Sequence, residues 1–134
     1  MSRARARAGA LLLAAALGLV APALAQDAPP PVEPTPAPAY EPDLMRLSEV
    51  MGALAFLRDL CGDADAPEWP ARMQRLIEAE GETRAERLAG AYNRGYRAFA
   101  LTYRVCTPAA ERAIAGYLVE GERLSRSVAR RFGG

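Results

Sequence analysis

The stretch YNRGYRAFALTYRVC, residues 92–106, decides the reading of the whole chain. Aromatic residues and arginines interleave along it, and a cysteine closes it. Such interleaving suits a nucleic-acid groove, or a helix that sorts rings and charges onto opposite faces. At about 100° per residue, Leu88, Tyr92, Tyr96, Phe99, Tyr103 and Cys106 fall on one side of a helix. Arg87, Arg94, Arg97 and Arg104 fall roughly opposite. A nucleic-acid platform needs both sets on one surface, so that bases stack while phosphates pair. The spacing instead predicts a helix with rings inward and arginines outward. Gly95 lies at the border of the two faces, where a small residue permits a close helix approach.

Working outward, the pattern stays helical. "TRAE", Thr83 to Glu86, is a capping-box pattern that starts this helix, which is expected to run to about Val105. Thr107 and Pro108 then suit the cap and first position of a following helix, from Pro108 to about Arg131. Upstream, Pro70 to Glu80 reads as a short helix with Met73, Leu76 and Ile77 inward, stopped by Gly81. Before it, Leu47, Val50, Leu54, Leu57 and Cys61 make one apolar stripe on a helix from about Asp43 to Leu60, with Asp43 as its cap and Gly62 as its stop. β-Branched residues are scarce and never alternate over a useful length, so strands are not expected. The fold class is all-α: a small four-helix array in a domain over residues 43–134.

The residues before that domain read differently. Arg3, Arg5 and Arg7 precede a short apolar run, Leu11 to Val20, and Ala23-Leu24-Ala25 fits a small-residue cleavage site. Residues 1–25 are therefore expected to be a Sec-type signal peptide cleaved after Ala25, giving a periplasmic protein with no stable membrane anchor. Ala28 to Pro42 holds seven prolines in fifteen residues, so residues 26–42 are expected to form a Pro-rich disordered spacer.

Two cysteines, Cys61 and Cys106, are the only ones present. Export to an oxidising compartment favours a disulfide between them. A dithiol redox site normally needs closer spacing, and two cysteines are too few for a structural zinc site. The array is thus expected to be stapled by one disulfide.

Composition excludes several chemistries. All 17 basic residues are arginine, with no lysine and no histidine. That removes Ser-His and Cys-His catalytic pairs, a lysine Schiff base and histidine metal ligands. Without the leader, 14 arginines face 16 acids, which argues against bulk attraction to nucleic acid. "EAEGETRAE" carries Glu78, Glu80, Glu82 and Glu86, and paired carboxylates can perform glycosidase chemistry without histidine. The simpler reading is that Glu82 and Glu86 favour a helix start. No cofactor and no metal site are expected.

The segments RDLCG (58–62), YNRGYRAF (92–99) and YRVC (103–106), with Trp69, Met73 and Glu80, resemble a known family. It consists of small exported alphaproteobacterial proteins of unknown function, with LRxLC-like and FNxGYRxF-like segments followed by YxxCT. The likeness spans about Leu54 to Gly121; Tyr92 stands where phenylalanine is usual, and Gly95 keeps the glycine. The resemblance implies export and cysteine pairing but supplies no reaction.

The expected function is a non-catalytic periplasmic envelope protein, an interaction module for an anionic envelope polymer such as peptidoglycan or for a protein partner. The candidate binding residues are Arg87, Arg94, Arg97 and Arg104, because guanidinium forks match carboxylate and phosphate groups. The alternatives are a carboxylate-based peptidoglycan-modifying hydrolase and a holdase-like chaperone.

Overall fold

The computed structural model describes residues 36–132; the predicted leader, and the predicted spacer up to residue 35, lie outside the described residues. Four helices are present, α1 (Glu41–Leu60), α2 (Glu68–Glu80), α3 (Glu82–Ala100) and α4 (Pro108–Phe132), with no strand among the described residues. The chain is all-α, as its periodicity predicts.

The helix ends show where local signals were outweighed. α1 begins at Glu41, because Pro42 fits the first turn, where its missing N–H costs nothing. Asp43 therefore lies inside the helix and does not cap it; its carboxylate accepts a hydrogen bond from the Ser127 hydroxyl at 2.7 Å. α1 ends in a Schellman turn: Gly62, at φ 74°, donates its N–H to Asp59 O at 3.0 Å, and Asp63 N–H donates to Arg58 O at 2.9 Å.

α2 starts two residues before Pro70, which sits in its first turn. Gly81 alone joins α2 to α3, and its φ of 78° turns the chain without a side-chain clash. Because helical geometry resumes at Glu82, Thr83 is already inside α3 and the expected capping box does not form. α3 stops at Ala100, short of the expected Val105: Thr102 and Tyr103 N–H both turn back to Phe99 O, at 3.0 and 2.8 Å. Thr107 does cap α4, its Oγ1 accepting the Ala110 N–H at 3.2 Å.

The expected single stripe on α1 is replaced by burial all round. Residues 50 to 55 are buried without a break, more than a full turn, so this part of α1 has no solvent face. The reason is position: α1 packs against α2, α3 and α4, whereas α4 approaches only α1 through its backbone among the described residues. Leu44, Val50, Leu54 and Leu57 of α1 meet Met73, Leu88, Ala110, Ile114 and Leu124 from the surrounding helices in one core. Ser48, fully buried, is satisfied by donating to Leu44 O at 3.0 Å.

Paired residues fix the helix directions. α3 runs parallel to α1, since Glu41 pairs with Arg87 near one end and the Phe56 and Tyr96 rings meet edge to face at 5.3 Å further along. α4 runs antiparallel to α1, with Arg46 on Glu120 and Asp43 on Ser127. The α1–α3 crossing is built on glycine. A Cβ on Gly52 would lie 1.9 Å from Tyr92 O, and one on Gly95 would lie 1.8 Å from Glu49 O, so the two backbones touch there.

Cys61 and Cys106 form the expected disulfide, with Cα atoms 4.8 Å apart. It ties the end of α1 to the segment between α3 and α4, closing a loop across 45 positions.

Candidate functional site

The four arginines singled out in the sequence do not form one strip. Arg87 is ion-paired with Glu41, a carboxylate only 4% exposed at the start of α1. Arg104 lies beyond the end of α3, and its Nη1 donates to Ala100 O at 2.8 Å, closing one of that helix's open carbonyls. Arg94 and Arg97 are exposed, three residues apart on α3, and have no ion pair among the described residues. Tyr96, 38% exposed, lies on the same helix between them in sequence. Arg87 and Arg94 also line a shallow depression of about 500 Å³ with Met45, Glu86 and Gly90.

The predicted inward stripe of α3 is likewise shifted. Its fully buried positions are Leu88 and Ala91, with Gly95 also buried, because close contact with α1 favours small residues. The larger rings flank that contact. Tyr92 is half-buried, and burial pushes its phenol above the ordinary value of 10.0, with Tyr96 adding to the effect. Phe99 bridges to α4 through an edge-to-face contact with Tyr117 at 5.6 Å. Tyr103 and Cys106 lie past the helix end.

Two of the glutamates in EAEGETRAE are engaged locally. Glu80 accepts from Arg84 Nη1 at 2.7 Å, and Glu78 accepts from Gln74 Nε2 at 3.1 Å. Each joins neighbours four residues apart, a helix-surface spacing. No group of three or more potential metal ligands gathers among the described residues.

The sequence did not single out the Arg46–Glu120 pair. Arg46 Nε donates to Glu120 Oε1 at 2.7 Å and Nη2 to Oε2 at 3.0 Å, a two-pronged link between α1 and α4. That hydrogen bonding holds the Glu120 carboxyl below its ordinary 4.5, against the opposing effect of desolvation. It also holds the Arg46 guanidinium above its ordinary value.

A cleft of about 430 Å³ was missed as well. Leu47, Val50, Met51 and Leu54 of α1 line it, with Trp69, Arg72 and Leu76 of α2, and Leu118, Gly121, Glu122 and Ser125 of α4. It exists because α2 and α4 both pack on α1 without backbone contact with each other. Trp69 is 7% exposed, and its Nε1–H has no acceptor among the described residues. Arg72 stacks over the Trp69 ring at 4.6 Å and also pairs with Glu68 at 2.6 Å. The available signal was α1 itself, apolar on too many faces for a helix with one covered side.

Neither a curated protein nor a solved structure matches the chain. A family model described as "Protein of unknown function (DUF2385)" matches residues 39–132, which include all four helices and both cysteines. The chain therefore belongs to the DUF2385 family of proteins of unknown function.

Proposed function

We propose that the chain is a non-catalytic envelope protein, exported through a Sec-type leader cleaved after Ala25, that recognises an anionic partner through the outer face of α3. The observation that carries this reading is the exposed Arg94–Arg97 pair, which has no acidic partner among the described residues. Arg94 also lines the depression over Gly90, where its guanidinium fork matches a carboxylate or phosphate group; Arg87, on the same rim, is already paired with Glu41. Arg104 is not part of the proposed surface, because it serves its own helix end. In the periplasm the matching groups are the carboxylates of peptidoglycan stems and the acidic side chains of protein partners.

Co-sedimentation of the mature protein with isolated peptidoglycan sacculi tests the proposal. The expected result is salt-sensitive retention, reduced at least tenfold in Arg94→Ala/Arg97→Ala and unchanged in Arg112→Ala, an exposed arginine on α4. Equal retention of the double variant and wild type would sink the arginine-pair reading. Export is checked separately, by sequencing the N-terminus of the periplasmic protein and finding Gln26 first.

A further inference from the structure

We infer that the Cys61–Cys106 disulfide exchanges in the folded protein, that Cys106 is the sulfur at which it does so, and that segment 101–107 docks the partner, a dithiol protein of the thiol–disulfide oxidoreductase class. The chain is the substrate of this exchange, not its catalyst. No residue of the proposed anion-binding face takes part, so the inference stands apart from that reading.

The two cysteines share a bond but not a setting. Cys61 closes α1, donates its N–H to Leu57 O at 3.0 Å, and packs partly buried against the core. Cys106 is exposed, two residues before the start of α4. An attacking thiolate strikes one sulfur from behind, along the sulfur–sulfur axis, so access decides which sulfur is struck. Access favours Cys106, whereas Cys61 is backed by the side chains it packs on. The leaving group opposes this weakly: a Cys61 thiolate meets the carbonyl end of α1, an effect of roughly two- to fivefold in rate. Exclusion of the nucleophile is the larger effect, as the inertness of buried cysteines shows.

The chain around Cys106 supplies the docking surface. Residues 101–107 lie between α3 and α4, outside any helix. The N–H groups of Arg104, Val105 and Cys106 donate no backbone hydrogen bond among the described residues, so main-chain donors remain for a partner to pair with. Leu101 is 78% exposed and Val105 64% exposed, on either side of a shallow run that also includes Tyr103 and Arg104. A small thiol needs neither free main-chain donors nor apolar flanks; a protein partner uses both. The bond itself sets that partner's chemistry, since only a thiol or a disulfide reacts with it.

The partner's thiolate forms a bond to Cys106 Sγ as the Cys61–Cys106 bond breaks. The electron pair leaves on Cys61 Sγ, which then takes a proton from water. The partner's second thiolate attacks its own sulfur in the mixed disulfide, and Cys106 leaves and is protonated in turn. The chain has gained two electrons and two protons, and the partner's dithiol has given up both and become a disulfide. The reverse sequence makes the bond through the same intermediate on Cys106.

The test uses the mature, disulfide-intact protein without denaturant and two probes in excess. One is reduced glutathione; the other is a thioredoxin whose second active-site cysteine is serine, so that it cannot resolve the mixed disulfide. N-ethylmaleimide stops the reaction and marks the cysteine set free. Cleavage after arginine then places Cys61 in peptide 59–72 and Cys106 in peptide 105–112, for mass spectrometry. The expected product carries thioredoxin on 105–112 and maleimide on 59–72, at least tenfold over the reverse arrangement. Leu101→Ser/Val105→Ser removes two exposed apolar side chains and should slow thioredoxin at least fivefold while leaving glutathione within twofold. The inference is overturned if the folded protein forms no mixed disulfide with thioredoxin, if the two peptides carry the probe equally or 59–72 carries more, or if the double variant affects both probes alike.

Discussion

Replacing Gly95 by alanine tests the architecture most directly, because two effects of opposite sign compete. In a helix interior alanine is favoured over glycine by about 1 kcal/mol. At position 95, however, the new methyl would lie 1.8 Å from Glu49 O, 2.8 Å from Glu49 C and 3.0 Å from Ala53 N. Those atoms are the backbone of α1, which cannot rotate aside as a side chain can. Restoring even a 3.0 Å separation from Glu49 O needs a shift of more than 1 Å, and Leu88 and Ala91 would lose contact along the same seam. Overpacking of this kind costs about 1–3 kcal/mol and sometimes more; the rigid neighbour places this case at the upper end. Set against the propensity gain, the net loss is about 2 kcal/mol or more. For a domain this small, that lowers Tm by roughly 8–16 °C. Helical circular dichroism on heating, with the disulfide intact, measures it. Gly116→Ala is the internal control: it lies on α4 with nothing within 4 Å of its Cβ, so only the propensity term acts and Tm should rise by a few degrees. If Gly95→Ala also raised Tm, the backbone contact between α1 and α3 would be refuted. The double change Gly52→Ala/Gly95→Ala should cost less than the two single costs added, because the first methyl already parts the helices.

Reducing the disulfide, or replacing Cys61 and Cys106 by serine, should remove about 4 kcal/mol on the loop-entropy account, and an unchanged melt under reductant would contradict the bridge. Thr107→Ala should cost about 1 kcal/mol of unfolding free energy in urea, since the Ala110 N–H loses its acceptor; a loss under 0.2 kcal/mol would show the cap to be idle. Because the folded Glu120 carboxyl titrates below its ordinary 4.5, its contribution is complete above that pH and is lost as pH falls through the depressed value. A plot of Tm against pH should therefore fall more steeply on the acid side for wild type than for Glu120→Gln, and parallel curves would count against the Arg46–Glu120 link.

Helix type and number were legible because they depend on local period and punctuation. Gly62, Gly81 and the Thr107-Pro108 corner each mark a boundary that the structure keeps. The closeness of α3 to α1 was legible from Gly95 alone, since a small residue beside a ring-lined face has few other uses. Its partner Gly52 was not, because one glycine among the alanines of GALA carries no sign of what crosses it. Burial was harder to read. Tyr96 and Tyr103 share the angular position of core residues, but one is 38% exposed and the other lies past the helix end. Angle on a helix says which way a residue points; it does not say whether a neighbour stands there. The same limit hid Arg87 and Arg104, whose tasks depend on Glu41, far off in sequence, and on the point where α3 stops.

The placement of α4 connects these observations. Among the described residues its backbone approaches α1 alone, and α3 reaches it through the Phe99–Tyr117 ring contact. Such a helix needs fastening at both ends, and the chain provides it. Near its start are the Thr107 cap and the disulfide from Cys106 to the end of α1. Toward its other end, Glu120 takes Arg46, Ser127 donates to Asp43, and Arg131 Nη1 donates to Ala39 O at 2.9 Å. Between these fastenings α4 rests on α1 through Ile114, Gly121 and Leu124, and a cleft remains where α2 and α4 flank α1 without meeting. The cleft beside Trp69 follows from that arrangement: a buried central helix, a partner held at its ends, and a second neighbour too short to close the gap. Filling the gap would require only larger side chains at Gly121 or Ser125, both of which face it.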